Sequence, residues 1–180
     1  MKNLIFVFTL VAVSANANAE HHATLRAEFE SLQFLLGSCW EGKFPDGIRT
    51  DVHCFESVYD GKHLRDRHVV RGGASLYQGE TIYSWSVDAN KITYVYWNSL
   101  GGVSTGTATP GDGQIAFPDE SYIGSNGETV TISSVWENIT DDSYDSLTVE
   151  TFPNGDTKER RVRYQKRQLD WAKTISSRTM

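Results

Sequence analysis

From residue 39 onward, apolar and polar residues alternate in short runs rich in Val, Ile, Thr, Tyr and Trp. Alternation with period two marks half-buried β-strands. The runs are broken at Pro45-Asp46-Gly47, Asp60-Gly61, Gly72-Gly73, Asp88-Ala89-Asn90, Gly101-Gly102, Gly111-Asp112-Gly113, Gly124 to Gly127, Asp141-Asp142 and Pro153-Asn154-Gly155. Gly and Asn tolerate positive φ and Pro presets φ, so each break reads as a turn. The pattern predicts nine or ten consecutive antiparallel strands, and a meander that long removes its edges by closing into a barrel. Ahead of it, Leu25, Phe29, Leu32, Leu35 and Leu36 recur at helical spacing within residues 23–36, predicting one short helix stopped at Gly37. The fold class is therefore all-β, an up-and-down antiparallel meander closed into a barrel, preceded by one short helix.

Turn chemistry carries this reading to individual pairs. A two-residue loop at Asp46-Gly47 sets Pro45 opposite Ile48 and, further down both strands, Trp40 opposite His53 and Cys39 opposite Cys54. The only two cysteines thus face each other at a separation a disulfide spans, and the bridge is expected to stabilise the fold by about 3 kcal/mol. A loop at Asp60-Gly61 places His53 opposite His68 and Phe55 opposite Asp66. Trp40, His53 and His68 then form one row across three strands, with Asp66 on the same face. The other face carries His63, Arg65, Arg67 and Arg71, which want water, so the Trp40 face is the lumen. By the same stepping, Trp85 should face Tyr94, Tyr83 face Tyr96, Val149 face Arg160, Leu147 face Val162, and Leu147 also face Trp136.

A short helix ending in Leu36-Gly37, a Trp on the first strand and a last strand carrying Arg160 and Tyr164 resemble the lipocalin-like, or calycin, architecture. The run from "FLLGSCWEG" through "YVYWNSLGG" is similar to secreted bacterial families of unknown function with such barrels. The resemblance spans nearly all of residues 20–180. It departs from the lipocalin Gly-x-Trp pattern, since Ser38 and Cys39 separate Gly37 from Trp40. It implies a single barrel domain and an Arg of the last strand over the first-strand Trp, a cation–π role for Arg160. Some calycin-like barrels of the nitrobindin family hold haem through a His near the C-terminus; no His follows His68 here, so haem is not expected.

The first 19 residues, MKNLIFVFTLVAVSANANA, have a basic n-region at Lys2, an apolar core too short to span a bilayer and small residues at the end. They read as a signal peptide cleaved after Ala19, or alternatively after Ala17. The expected destination is periplasmic or extracellular, with residues 20–180 forming one domain. The net charge of −6 comes without a basic stripe, which argues against nucleic acid as a partner. No second apolar stretch is long enough for a membrane span.

The sharpest candidate chemistry is His53, Asp66 and His68, with the Asp66 carboxylate expected to orient His68. The expected lumen wall adds Trp40, Tyr83, Trp85, Tyr94, Tyr96 and Arg160 as ligand-contacting residues, together with Trp136 and Tyr164; for the Tyr83/Tyr94 hairpin the alternative places Ile82, Val95 and Trp97 inward. The favoured reading is a binder of a small, partly aromatic or polar molecule, with no cofactor predicted. The alternatives are an isomerase- or hydrolase-type enzyme using His68 and Asp66 with lumen tyrosines, and an envelope protein whose barrel is filled. His53, His68 and Asp66 also make a conceivable His₂-carboxylate metal set. Cleavage after Ala19 would expose Glu20-His21-His22, an amino-terminal nitrogen set suited to Cu(II) or Ni(II).

Overall fold

The computed structural model describes residues 24–123 and 127–168. The signal segment and the Glu20-His21-His22 motif lie outside the described residues. Ten strands follow one another: β1 (Cys39–Lys43), β2 (Thr50–Val58), β3 (His63–Arg71), β4 (Tyr77–Ser86), β5 (Lys91–Asn98), β6 (Val103–Gly111), β7 (Gln114–Ile123), β8 (Thr129–Glu137), β9 (Ser143–Thr151) and β10 (Thr157–Arg167). Each pairs antiparallel with the next, and β10 pairs with β1, so the barrel is closed. Among the described residues no helix is long and apolar enough to cross a membrane.

The predicted helix is shorter than expected and of another kind, a 3₁₀ segment over Ala27–Leu35. Phe29, Leu32 and Leu35 recur every third residue, which is the repeat of a 3₁₀ helix and lines up one apolar face. All three are fully buried. They plug one end of the barrel, where the Trp40 indole donates to the Leu35 carbonyl and Phe34 meets Trp40 edge-on at 5.6 Å. The other end stays open between the β1–β2, β3–β4 and β9–β10 connections.

The first two hairpins carry the predicted registers. Cys39 pairs with Cys54 and they form a disulfide, Trp40 pairs with His53, His53 with His68, and Phe55 with Asp66. The Arg65 and Arg67 guanidinium groups point outward and share Glu56.

Three other hairpins, β4–β5, β8–β9 and β9–β10, differ from expectation. The β4–β5 loop has four residues, so Trp85 pairs with Ile92 and Tyr83 with Tyr94. This is a shift of two, which preserves every face. The β9–β10 loop is a three-residue turn over Pro153–Gly155, closed by the Phe152 amide on the Asp156 carbonyl, with Gly155 at φ 86°. The extra residue moves the register by one and turns β9 over: Arg160 faces Thr148, Val162 faces Ser146 and Tyr164 faces Tyr144. Leu147 pairs with Arg161 and Val135, and Trp136 pairs with Ser146. Leu147 and Val149 therefore point outward, contrary to the sequence expectation.

Candidate functional site

The open end leads into a lumen of two chambers. The inner cavity, about 220 Å³, is walled by residues including His53, Asp66, Tyr83, Phe117, Trp136 and Tyr144. The outer chamber, about 500 Å³, is framed by Phe44, Arg49, Tyr77, Tyr122 and the Gly73–Ser75 turn. Asp51, His68, Tyr96, Glu120, Ile132 and Arg160 line both, so the chambers meet at these side chains.

Space for the lumen comes from glycine. A Cβ on Gly79 would collide with the His68 imidazole and the Tyr96 ring, and one on Gly106 would collide with the Tyr94 ring. The absent side chains leave the space that these rings occupy against the neighbouring strand.

At the floor of the outer chamber, a polar network runs across β2, β3, β4, β5 and β10. The two oxygens of Asp51 divide between the histidines: Oδ2 lies 3.0 Å from His53 Nε2 and Oδ1 lies 3.1 Å from His68 Nδ1. The Tyr164 hydroxyl donates to Asp51 Oδ2 at 3.0 Å. Asp66 meets His53, and not His68 as expected from the sequence: His53 Nδ1 lies 2.8 Å from Asp66 Oδ2, while His68 Nε2 lies 3.1 Å from the Tyr96 hydroxyl, which in turn meets Tyr77. The two imidazoles stack with centroids 4.6 Å apart. Asp51 is 5% exposed, Asp66 2% and His68 8%.

Burial pushes the Asp51 carboxyl up, but the His53 and His68 imidazoles outweigh it and hold the carboxyl well below the ordinary range. Burial likewise opposes charge on His53, yet the flanking Asp51 and Asp66 hold its pKa well above that of a free imidazole. Desolvation raises Tyr83, Tyr94, Tyr96, Tyr144 and Tyr164, so these phenols stay neutral donors. Desolvation also raises Glu120, which accepts a hydrogen bond from Tyr94.

Of the residues singled out from sequence, His53, Asp66, His68, Tyr83, Tyr94, Tyr96 and Arg160 lie on the lumen wall, as do Trp136 and Tyr164. Trp40 and Trp85 face inward but are absent from the cavity wall; they pack in the core. The cation over Trp40 is Lys166, 5.7 Å from the ring, and Arg160 instead lies 4.8 Å from the Phe44 ring at the mouth, as does Arg49. Sequence reasoning missed Asp51 and Glu120. Asp51 sits two residues before His53, so strand alternation alone puts the pair on one face. Glu120 carried no such signal. Between Phe117 and Glu120 a bulge at Pro118-Asp119 adds one residue to β7, and both flanking side chains turn inward.

No protein-family profile matches the chain, and no curated protein matches it in sequence. The closed ten-stranded meander is consistent with a lipocalin-like barrel on architecture.

Proposed function

We propose that this protein is a secreted, non-enzymatic member of the lipocalin-like barrels that takes up a small, planar, partly aromatic molecule bearing polar groups. The observation that carries the reading is the open two-chambered lumen, apolar ring faces at depth and converging polar groups where the chambers meet. Pockets that hold small molecules share this composition, mostly apolar with a few oriented polar groups. Neutral phenols and the Asp51–His53–Asp66 network supply both donors and acceptors for hydroxyl or carboxyl substituents. Arg160, partly exposed at the mouth, supplies a positive charge beside Phe44. The disulfide fits an oxidising compartment, and residues 1–19 are proposed as the export signal, with the resident ligand met outside the cytoplasm.

The test combines native mass spectrometry of protein purified from its own compartment with thermal-shift screening of aromatic acids and phenols. Ser146→Phe and Thr148→Phe fill the inner cavity without removing a core side chain. A small-molecule adduct or thermal shift that vanishes in these variants supports the reading. A clean mass together with no response to any compound of the set overturns it.

A further inference from the structure

The Asp51–His53–His68 cluster has a feature that ligand uptake leaves unexplained. It buries two carboxylates, Asp51 and Asp66, whose cationic hydrogen-bond partners among the described residues are imidazoles and not lysine or arginine. A buried charge is tolerated when it is paired or coordinates a metal. Asp66 Oδ1 is buried without a hydrogen-bond partner. The cluster also lies on the lumen wall, open to small solutes from the mouth.

We propose that Asp51, His53 and His68 form a binding site for one divalent first-row transition ion, such as Zn²⁺, held by two imidazole nitrogens and a carboxylate oxygen with its remaining coordination positions toward the lumen. One ligand atom from each of the three residues lies within 4.8 Å of the others. His53 Nε2 and His68 Nδ1 stand 3.0 and 3.1 Å from Asp51 oxygens. Two ligands of a single tetrahedral ion with bonds of about 2.0–2.1 Å are separated by about 3.3 Å, so the two nitrogen–oxygen pairs are near that spacing and the widest pair of the three closes by at most about 1.5 Å.

The stronger argument is the outer shell. Each imidazole turns one nitrogen toward Asp51 and anchors the other. His53 Nδ1 is held by Asp66, and His68 Nε2 by the Tyr96 hydroxyl. A carboxylate or other oxygen on the distal nitrogen is what orients a metal-bound histidine and raises its basicity. Asp66 therefore acts as a positioning residue, not a ligand, which reverses the set expected from the sequence. A divalent cation would balance both buried carboxylates. The disulfide leaves no thiolate among the described residues to compete, and two nitrogens with one oxygen suit Zn²⁺, Fe²⁺ or Co²⁺ better than Mg²⁺ or Ca²⁺. The site stands independently of the small-molecule reading, since either can fail alone.

The experiment is a Co²⁺ and Zn²⁺ titration of the disulfide-intact mature protein carrying His21→Ala and His22→Ala, which removes the amino-terminal motif. Expected are saturation at one equivalent, visible d–d bands for Co²⁺, and two hyperfine-shifted N–H proton resonances, from His53 Nδ1 and His68 Nε2. Asp51→Asn and His68→Gln should abolish saturable binding, and Asp66→Asn should weaken it by about 10–100-fold. If the first two variants do not fold, the two shifted resonances in the protein with its lumen intact decide the matter. Absence of saturable binding, saturation without those resonances, or unchanged binding in a folded Asp51→Asn variant would each overturn the proposal.

Discussion

Gly79→Ala probes the packing that keeps the lumen open. Gly79 is the third residue of β4, opposite His68 on β3 and Asn98 on β5. Its backbone lies outside the left-handed region, so alanine meets no backbone strain. In an ordinary strand the change would stabilise by about 0.5–1 kcal/mol, because glycine loses more chain entropy on folding. Here the added Cβ would stand 2.5 Å from Tyr96 Cε2 and 2.7 Å from His68 Cδ2, closer still to Nε2. The imidazole has no room to yield. Asp51 and Tyr96 hold its two nitrogens, and His53 stacks on its face. Overpacking of this kind costs about 1–3 kcal/mol, and parting His68 from Tyr96 adds about 0.5–1.5 kcal/mol. After the entropy gain, the net loss is about 2 kcal/mol. Urea unfolding followed by tryptophan fluorescence measures it. In a His68→Ala background the clash is relieved in large part, and the same substitution should become nearly neutral or stabilising. Gly79→Ala that matches the parent in stability, or that costs the same in both backgrounds, would refute the reasoning.

Further outcomes follow from the same contacts. Cys39→Ser/Cys54→Ser should lower stability by about 3 kcal/mol for a bridge spanning 15 residues, read as a drop in the urea midpoint that reductant reproduces in the parent. Tyr164→Phe removes a hydrogen bond to a buried, charged Asp51 and should cost about 1.5–3 kcal/mol by the same assay. Glu120 holds its proton more tightly when folded than the ordinary carboxyl at 4.5. Its contribution is therefore full below about that pH and is lost as pH rises through the folded value. The stability difference between Glu120→Gln and the parent should grow in favour of the variant as pH rises from 4 to 7, and a pH-independent difference would count against a raised Glu120.

The candidate site was legible only in part. His53, His68 and Asp66 came from alternation and two tight loops, because a side chain's face follows from counting residues away from a turn of known length. Asp51 obeys the same count and was open to discovery. Glu120 was not, because the β7 bulge interrupts the count at Pro118-Asp119. For Trp40 and Trp85, alternation correctly turned both rings inward. It said nothing of depth along the barrel axis, and both pack in the core away from the cavity wall.

The chain by itself therefore determined what short-range geometry dictates: nine or ten strands in sequence, where the chain turns, the first two registers and the disulfide those registers imply. The β9–β10 hairpin marks the limit of that information. A three-residue instead of a two-residue turn at Pro153–Gly155 exchanged Leu147 and Val149 for Ser146 and Thr148 on the inner face. Only the closed barrel decided which end the 3₁₀ segment plugs, how Gly79 and Gly106 leave space for rings on neighbouring strands, and that β2, β3 and β10 converge on Asp51. These are contacts between residues distant in sequence, and closure of the sheet is what brings them within reach.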